Sequence, residues 1–275
     1  SVDYEGLRDC VNFWIDGGLD GLVTLGSNGE FPYLSDDERR RVVEKVVEYV
    51  DGRVKVIVGS GAPSTFETLR FSREAMDLGA DALIIVTPYY FKLSGEELFH
   101  HYGAVLDAVD APIILYDVPK FTGYSISPSV VESLVDEYSN VVGIKDSSGN
   151  MMHLSELVRT VGDRISVLAG TASFILPNLV LGGAGAVVAV ANYLPELSSK
   201  LYHSFVGGRL SDASRIQLTI NYVWHFMGRY NQIAAVKALT RLRGVPAGYP
   251  RRPILPLDDV ALDSLRKLLA SIDIL

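Results

Sequence analysis

Lys145 closes the apolar run Val141-Val142-Gly143-Ile144, and the chain turns polar at once with Asp146-Ser147-Ser148-Gly149. A short, β-branched run that ends in turn residues reads as a buried parallel strand. An amine at the carboxyl end of such a strand is poorly hydrated, and that makes it a nucleophile. A lysine that leaves the core and snorkels to water would give the same pattern. A neighbouring run, Ile113-Ile114-Leu115, ends on Tyr116. Period-two alternation puts Val141, Gly143 and Lys145 on one face of their strand, and Ile114 and Tyr116 on one face of theirs. If both faces turn inward, amine and phenol meet, and Gly143 beneath the lysine leaves room. An amine with a phenolic proton relay suits the making and hydrolysis of an imine. The alternative is a buried tyrosine whose hydroxyl only finds a hydrogen-bond partner.

Gly26-Ser27-Asn28-Gly29-Glu30 offers backbone N–H groups, a hydroxyl and an amide ahead of a helical pattern. Such donors suit a small carboxylate held without a cation, although the same residues also make ordinary turns. Other motifs fail. Gly182-Gly183-Ala184-Gly185 precedes a strand-like run, so it is no dinucleotide fingerprint. Gly59-Ser60-Gly61 lacks the Walker lysine, and no Gly-x-Ser-x-Gly elbow occurs. The histidines at 100, 101, 153, 203 and 225 have no paired helical spacing with a glutamate, which speaks against a catalytic metal. His100 and His101 point two ways from one helical pattern and read as solvent or packing residues.

Elements that alternate between strand and helix must position these groups. Strand patterns fall at residues 21–25, 54–58, 82–86, 113–116, 141–145, 165–168 and 186–190. Helical patterns fall between them at 36–50, 66–78, 96–109, 128–137 and 152–161. Ser35 with Glu38, Ser64 with Glu67 and Ser94 with Glu97 have capping-box spacing, and Ser127-Pro128 marks a further helix start. After Pro195 only helical segments follow, at 196–206, 212–228, 232–242 and 258–272.

Alternating β and α elements predict a parallel sheet with ligands at the carboxyl ends of its strands. The expected fold is an α/β (β/α)8 TIM barrel over residues 1–194. Residues 195–275 would supply the last barrel helix and a helical C-terminal extension packed on the barrel. Seven strand patterns stand where eight are needed, and a helix at 2–16 stands where a first strand is expected, so either that strand is missing or the sheet is open and doubly wound; the strand-end polar residues, which point to one shared rim, favour a missing strand.

The composition suits a soluble globular chain. The 275 residues are 48% hydrophobic, ample for a sizeable core, and the net charge of −8 argues against nucleic acid or an anionic membrane as partner. One cysteine, Cys10, excludes an intrachain disulfide and suits a reducing compartment. No stretch reads as a transmembrane or targeting segment, so a cytoplasmic protein is expected.

The assembled motifs resemble the dihydrodipicolinate synthase/N-acetylneuraminate lyase family of class I pyruvate aldolases. The resemblance runs from the first helix to the C-terminus. It rests on Gly26–Glu30, Val86-Thr87-Pro88-Tyr89-Tyr90, Leu115-Tyr116-Asp117-Val118-Pro119 with Thr122-Gly123, Gly143-Ile144-Lys145-Asp146, Leu168-Ala169-Gly170 and Ala191-Asn192. Lys237-Ala238-Leu239, Arg252-Pro253 and Pro256-Leu257 continue it. By this resemblance Lys145 forms a Schiff base with pyruvate or another 2-oxo acid, and Tyr116 shuttles protons. Tyr90 joins the relay of an adjacent subunit, while Ser27 and Asn28 bind the oxo-acid carboxylate. Ser147, Gly170 and the backbone at Val187 line the pocket. The resemblance implies no cofactor beyond the covalent imine, no metal, and a homotetramer built as a dimer of dimers.

One departure bears on substrate. In the synthase branch an arginine for the aldehyde's carboxylate lies five residues after the strand-end tyrosine, and here that position is Phe121 beside Lys120. Phenylalanine cannot form a bidentate ion pair. With Ser27-Asn28 and Glu30-Phe31-Pro32, the chain looks more like 4-hydroxy-2-oxoglutarate aldolases, with 2-keto-3-deoxygluconate aldolases close by. The expected reaction is therefore reversible cleavage of a 4-hydroxy-2-oxo acid. Its alternatives are 4-hydroxy-tetrahydrodipicolinate synthase, joining pyruvate to aspartate semialdehyde, a dehydratase on the same imine, and a non-catalytic 2-oxo acid binder.

Overall fold

The computed structural model describes residues 1–274. The chain begins with α1 (Tyr4–Asp16), β1 (Gly21–Thr24), α2 (Asp36–Val50), β2 (Lys55–Gly59), α3 (Thr65–Asp77), β3 (Ala82–Val86) and α4 (Gly95–Ala108). It continues with β4 (Ile113–Asp117), α5 (Pro119–Thr122), α6 (Pro128–Glu137), β5 (Val141–Asp146), α7 (Met151–Val161), β6 (Ser166–Ala169), α8 (Ile175–Val180) and β7 (Gly185–Ala186). Four helices close it: α9 (Pro195–Val206), α10 (Leu210–Met227), α11 (Gln232–Leu242) and α12 (Asp259–Ala270). The strand order follows the chain, β1 to β7, with no strand skipped. The residues form two compact units, one of 1–55 with 189–275 and one of 56–188.

The second unit carries the parallel pairings from β2 through β7. Every residue of β4 is buried, and Leu83, Ile85, Leu115 and Ile144 are fully enclosed. A parallel sheet covered on both faces requires this near-continuous apolar sequence. Register aligns Val86, Tyr116, Lys145 and Leu168 across neighbouring strands, and Ile85, Leu115, Ile144 and Val167 one residue earlier on the other face. That other face lies toward the helices, since Tyr102 of α4 donates its hydroxyl proton to the Ile85 carbonyl at 3.1 Å. In the first unit α1 packs on α2, α9 on α10, and α11 on α12.

Local sequence signals explain most element starts. Ser35 with Glu38 and Ser94 with Glu97 form reciprocal capping boxes, and Ser127 caps α6 ahead of Pro128. Ser64 caps α3 in one direction only: its hydroxyl accepts from the Glu67 N–H, while the Glu67 carboxylate stands 3.6 Å from Arg70. The predicted strand at 186–190 is also shorter than its apolar pattern. Only Gly185 and Ala186 pair with β6, and Ala189–Asn192 forms a 3-10 turn. Asn178 fixes this arrangement, its amide donating to Val167 and Gly185 carbonyls at 3.0 and 2.9 Å. Helices α5 and α8 carry no clear amphipathic signal, being four and six residues long, and the sequence pattern did not separate them from loop.

Candidate active site

In the second unit, the polar residues that end the strands gather as the alternation predicts. Tyr116 and Lys145 are register partners on β4 and β5. Lys145 Nζ lies over the Tyr116 ring, 4.1 Å from its centre. Tyr116 is buried and Lys145 half-buried, so the lysine has not escaped to water. The space beneath the lysine is not open as expected from Gly143. A Cβ there would come within 2.9 Å of the Ser166 carbonyl oxygen, so the glycine permits close approach of β6.

The loop after β6 closes against the lysine. Gly170 donates its N–H to the Asp146 carbonyl at 2.7 Å. A Cβ at Gly170 would meet Ser147 Oγ at 1.9 Å and Lys145 Cε at 3.0 Å. Only glycine fits. Ser147 Oγ is itself buried without a hydrogen-bond partner, which leaves a hydroxyl free for a bound molecule beside the amine. The Val187 N–H donates to the Ala169 carbonyl at 2.9 Å, so the group available there is the carbonyl.

Tyr90 is different. It is 88% exposed, adopts a φ of 84°, and stacks edge-on against the exposed Phe91 at 5.0 Å. A positive φ at a bulky residue is a strained conformation. It presents the phenol to the outside of the chain. Phe121 is 52% exposed, with Lys120 Nζ 5.5 Å from its ring centre.

In the first unit, Ser27–Gly29 and Phe31–Tyr33 form two consecutive 3-10 turns joined at Glu30, which has a φ of 55°. The first turn consumes two of the N–H groups expected to meet a carboxylate: Gly29 donates to Gly26 at 2.9 Å and Glu30 to Ser27 at 3.2 Å. The side chains of Ser27 and Asn28 lie on this first turn. Gln232 of α11 donates to Asn28 Oδ1 at 3.2 Å, which orients the Asn28 amide. Glu30 is buried and ion-paired to Lys237 at 2.5 Å. It also accepts from the Arg251 N–H at 2.7 Å, and the Arg251 guanidinium pairs with Glu38. These contacts tie the C-terminal segment to the turn that bears Ser27 and Asn28. Sequence spacing could not reveal them, because the partners lie some two hundred residues apart.

Sequence reading also missed the role of a histidine. His101 is buried against Thr65 at 2.8 Å, its pKa pushed down to about 4 by burial, and His100 is exposed, as packing and solvent residues should be. His153, however, meets Asp117 and Asp146, the residues that follow Tyr116 and Lys145. Among the described residues these three side chains bring their polar atoms within 4.8 Å of one another, a grouping that no helical His-x-x-x-His spacing announces.

Comparison with known proteins follows the same residues across the whole chain. The family model described as "Dihydrodipicolinate synthetase family" matches residues 1–272. A 4-hydroxy-tetrahydrodipicolinate synthase of Methanococcus vannielii is 37% identical over 268 residues, 98% of this chain and 91% of that protein. One of Geobacter sp. strain M21 is 39% identical over 269 residues, 98% of this chain and 92% of that protein. The crystal structure of YagE, an Escherichia coli K12 prophage protein of the dihydrodipicolinic acid synthase family in complex with pyruvate, superposes with a TM-score of 0.96. It is 31% identical, over 100% of this chain and 94% of that one. The fold is accordingly the (β/α) barrel of those proteins. These relatives favour the synthase reading over the expected 4-hydroxy-2-oxoglutarate aldolase.

Proposed function

Because the chain belongs to the dihydrodipicolinate synthetase family, we propose that it condenses pyruvate with aspartate semialdehyde through an imine on Lys145. Enzymes of this family are class I aldolases and lyases that act on small molecules through a lysine Schiff base, with no external cofactor. The observation that carries the assignment to Lys145 is its pairing with Tyr116, Nζ over the ring, beside Gly170 and the unpartnered Ser147 hydroxyl.

The chemistry follows from those groups. The Lys145 amine adds to the 2-oxo carbon, and the carbinolamine loses water to give an iminium. The iminium withdraws electrons from the adjacent methyl group, which gives up a proton to form an enamine nucleophile. Tyr116 moves the protons of these steps. On this reading Ser27 and Asn28 are assigned to the oxo-acid carboxylate, and Ser147, Gly170 and the Val187 backbone to the pocket wall. Tyr90, exposed and strained outward, completes the relay of a neighbouring copy in a homotetramer. The single cysteine is buried, its thiol pushed up to about 12 by desolvation and Asp9, which keeps it unreactive.

Incubation with pyruvate and borohydride, followed by peptide mapping, tests the imine. A pyruvyl adduct confined to the Lys145 peptide supports it, and an unmodified Lys145 rejects it. Turnover of pyruvate with aspartate semialdehyde then tests the partner. A second reading, cleavage of a 4-hydroxy-2-oxo acid, is favoured by Phe121 in place of the carboxylate-binding arginine. Pyruvate release from 4-hydroxy-2-oxoglutarate or 2-keto-3-deoxygluconate, with no condensation of the semialdehyde, would select it.

A further inference from the structure

Asp117 and Asp146 are register partners at the ends of β4 and β5, on the opposite face from Tyr116 and Lys145. Their side chains are 0% and 1% exposed. Like charges directly opposite in a sheet repel, and burial removes the water that would weaken the repulsion. The imidazole of His153 on α7 stands against both. Its Nδ1 is 3.6 Å from Asp146 Oδ1 and 3.9 Å from Asp117 Oδ2. Its Nε2 is 2.9 Å from the Ile126 carbonyl oxygen, which can only accept, so Nε2 carries a hydrogen. A neutral ring would then aim the Nδ1 lone pair at two carboxylates. A second proton on Nδ1 reverses the sign of both interactions.

The same groups reach the catalytic strands through backbone contacts. Asp117 Oδ1 accepts from the Ile126 N–H at 3.1 Å, and Asp146 Oδ1 from the Ser148 N–H at 2.8 Å. Ser147 donates its N–H to the Asp117 carbonyl at 2.8 Å. One ring thus ties the end of β4, the end of β5 and the segment ahead of α6. We propose that His153, doubly protonated between Asp117 and Asp146, is a positioning residue that holds the two strand ends in the register that sets Tyr116 under Lys145.

The electrostatics agree. His153 is pushed up to about 9, chiefly by the adjacent Asp146 carboxylate and then by its bond to the Ile126 carbonyl and the charge of Asp117, against desolvation. Asp117 is pushed up to about 6 by burial, with Asp146 adding to the rise and His153 opposing it. Among the described residues Tyr102 of α4 feels the Asp117 charge, and Tyr124, ahead of α6, is coupled to Tyr102. Burial raises both phenols, so they stay neutral while His153 and Asp117 titrate.

The kinetic arm of the test rests on the Lys145 imine, and the spectroscopic arm does not. Nitrogen NMR of the full chain, labelled at imidazole nitrogens and assigned by loss in His153→Gln, reads the ring directly. Both His153 nitrogens are expected to be protonated near pH 7.5, between the two titrations. A neutral ring at that pH overturns the proposal, as does an Nδ1 bound to stoichiometric metal in the purified protein. In kinetics, His153→Gln is expected to lower kcat about tenfold with pyruvate KM within about twofold. Adding Asp117→Asn removes one of the two facing carboxylates, and with it their repulsion, and should restore most of kcat and of the melting temperature. A double variant no better than His153→Gln in either measure shows a space-filling role and overturns the proposal. If the imine lies elsewhere, borohydride mapping of Lys145 fails, while the nitrogen spectrum and the thermal rescue still decide the positioning role.

Discussion

Lys145 Nζ sits 4.1 Å from the centre of the Tyr116 ring, so the amine meets an aromatic face supplied by the adjacent strand. That face stabilises a cation by about 0.5–2 kcal/mol, whether the cation is an ammonium or the iminium that replaces it. The ring and the hydroxyl of Tyr116 therefore do separable work: one steadies the charge and the other moves protons.

Tyr116→Phe separates them. The ring stays over Lys145 while the relay is lost, so the adduct trapped after long incubation with pyruvate should persist although it forms more slowly, and turnover should fall about a hundredfold or more. Trapped adduct per subunit and kcat, measured on the same preparation, check this. Equal loss of both would mean that the hydroxyl is needed before the imine forms.

Gly170→Ala puts a methyl group into Ser147 Oγ and toward Lys145 Cε, with backbone at Asp146 closing the third side. The serine can rotate away, but only by abandoning the pocket. A loss of about 1–3 kcal/mol in stability is expected. With it should come a rise in pyruvate KM. Urea unfolding and steady-state kinetics measure the two effects.

Glu30→Gln leaves Lys237 beside a neutral amide where a buried carboxylate had been. Removing one partner of a buried ion pair costs about 3–5 kcal/mol, less here because Lys237 is partly exposed. The lost charge should also loosen the turn that carries Ser27 and Asn28 and raise pyruvate KM. Thermal melting checks the first effect. Replacing Lys237 by Met in the Glu30→Gln background should recover stability without recovering KM.

His153 also predicts how stability varies with pH. A histidine whose folded-state value lies near 9, against an ordinary value of 6.5, stabilises fully below about pH 6.5. That contribution is lost as pH rises through 9, and is on the order of 3 kcal/mol at most. Asp117, raised to about 6, acts earlier: its burial costs stability as pH rises from the ordinary carboxylate range toward 6. Urea midpoints from pH 6 to 10 should therefore decline in the native chain and be flatter in His153→Gln. Parallel curves would contradict the charged ring.

The sequence by itself determined what short-range rules govern. Period-two alternation put Tyr116 and Lys145 on matching faces, and the two strands pair in that register. Capping residues at Ser35, Ser94 and Ser127 set helix starts because a cap is a contact across three residues. Alternation of strand and helix, with the strand-end motifs, was enough to read the barrel and the family. The seventh strand was overread because its apolar run beyond Ala186 marks burial, and burial does not distinguish a strand from a 3-10 turn.

Only the tertiary structure decided the contacts between residues far apart in the chain. The glycine at 143 accommodates the Ser166 carbonyl, and two of the N–H groups after β1 are spent within their own turn. Asn28 is held by Gln232, and Glu30 by Lys237 and Arg251. His153, one of five histidines without a motif, finds Asp117 and Asp146 because α7 folds back over the strands that carry Tyr116 and Lys145. The physical reason is common to these cases. Periodicity tells which face a side chain joins, but charge and hydrogen-bond partners are chosen across space, where sequence separation carries no information.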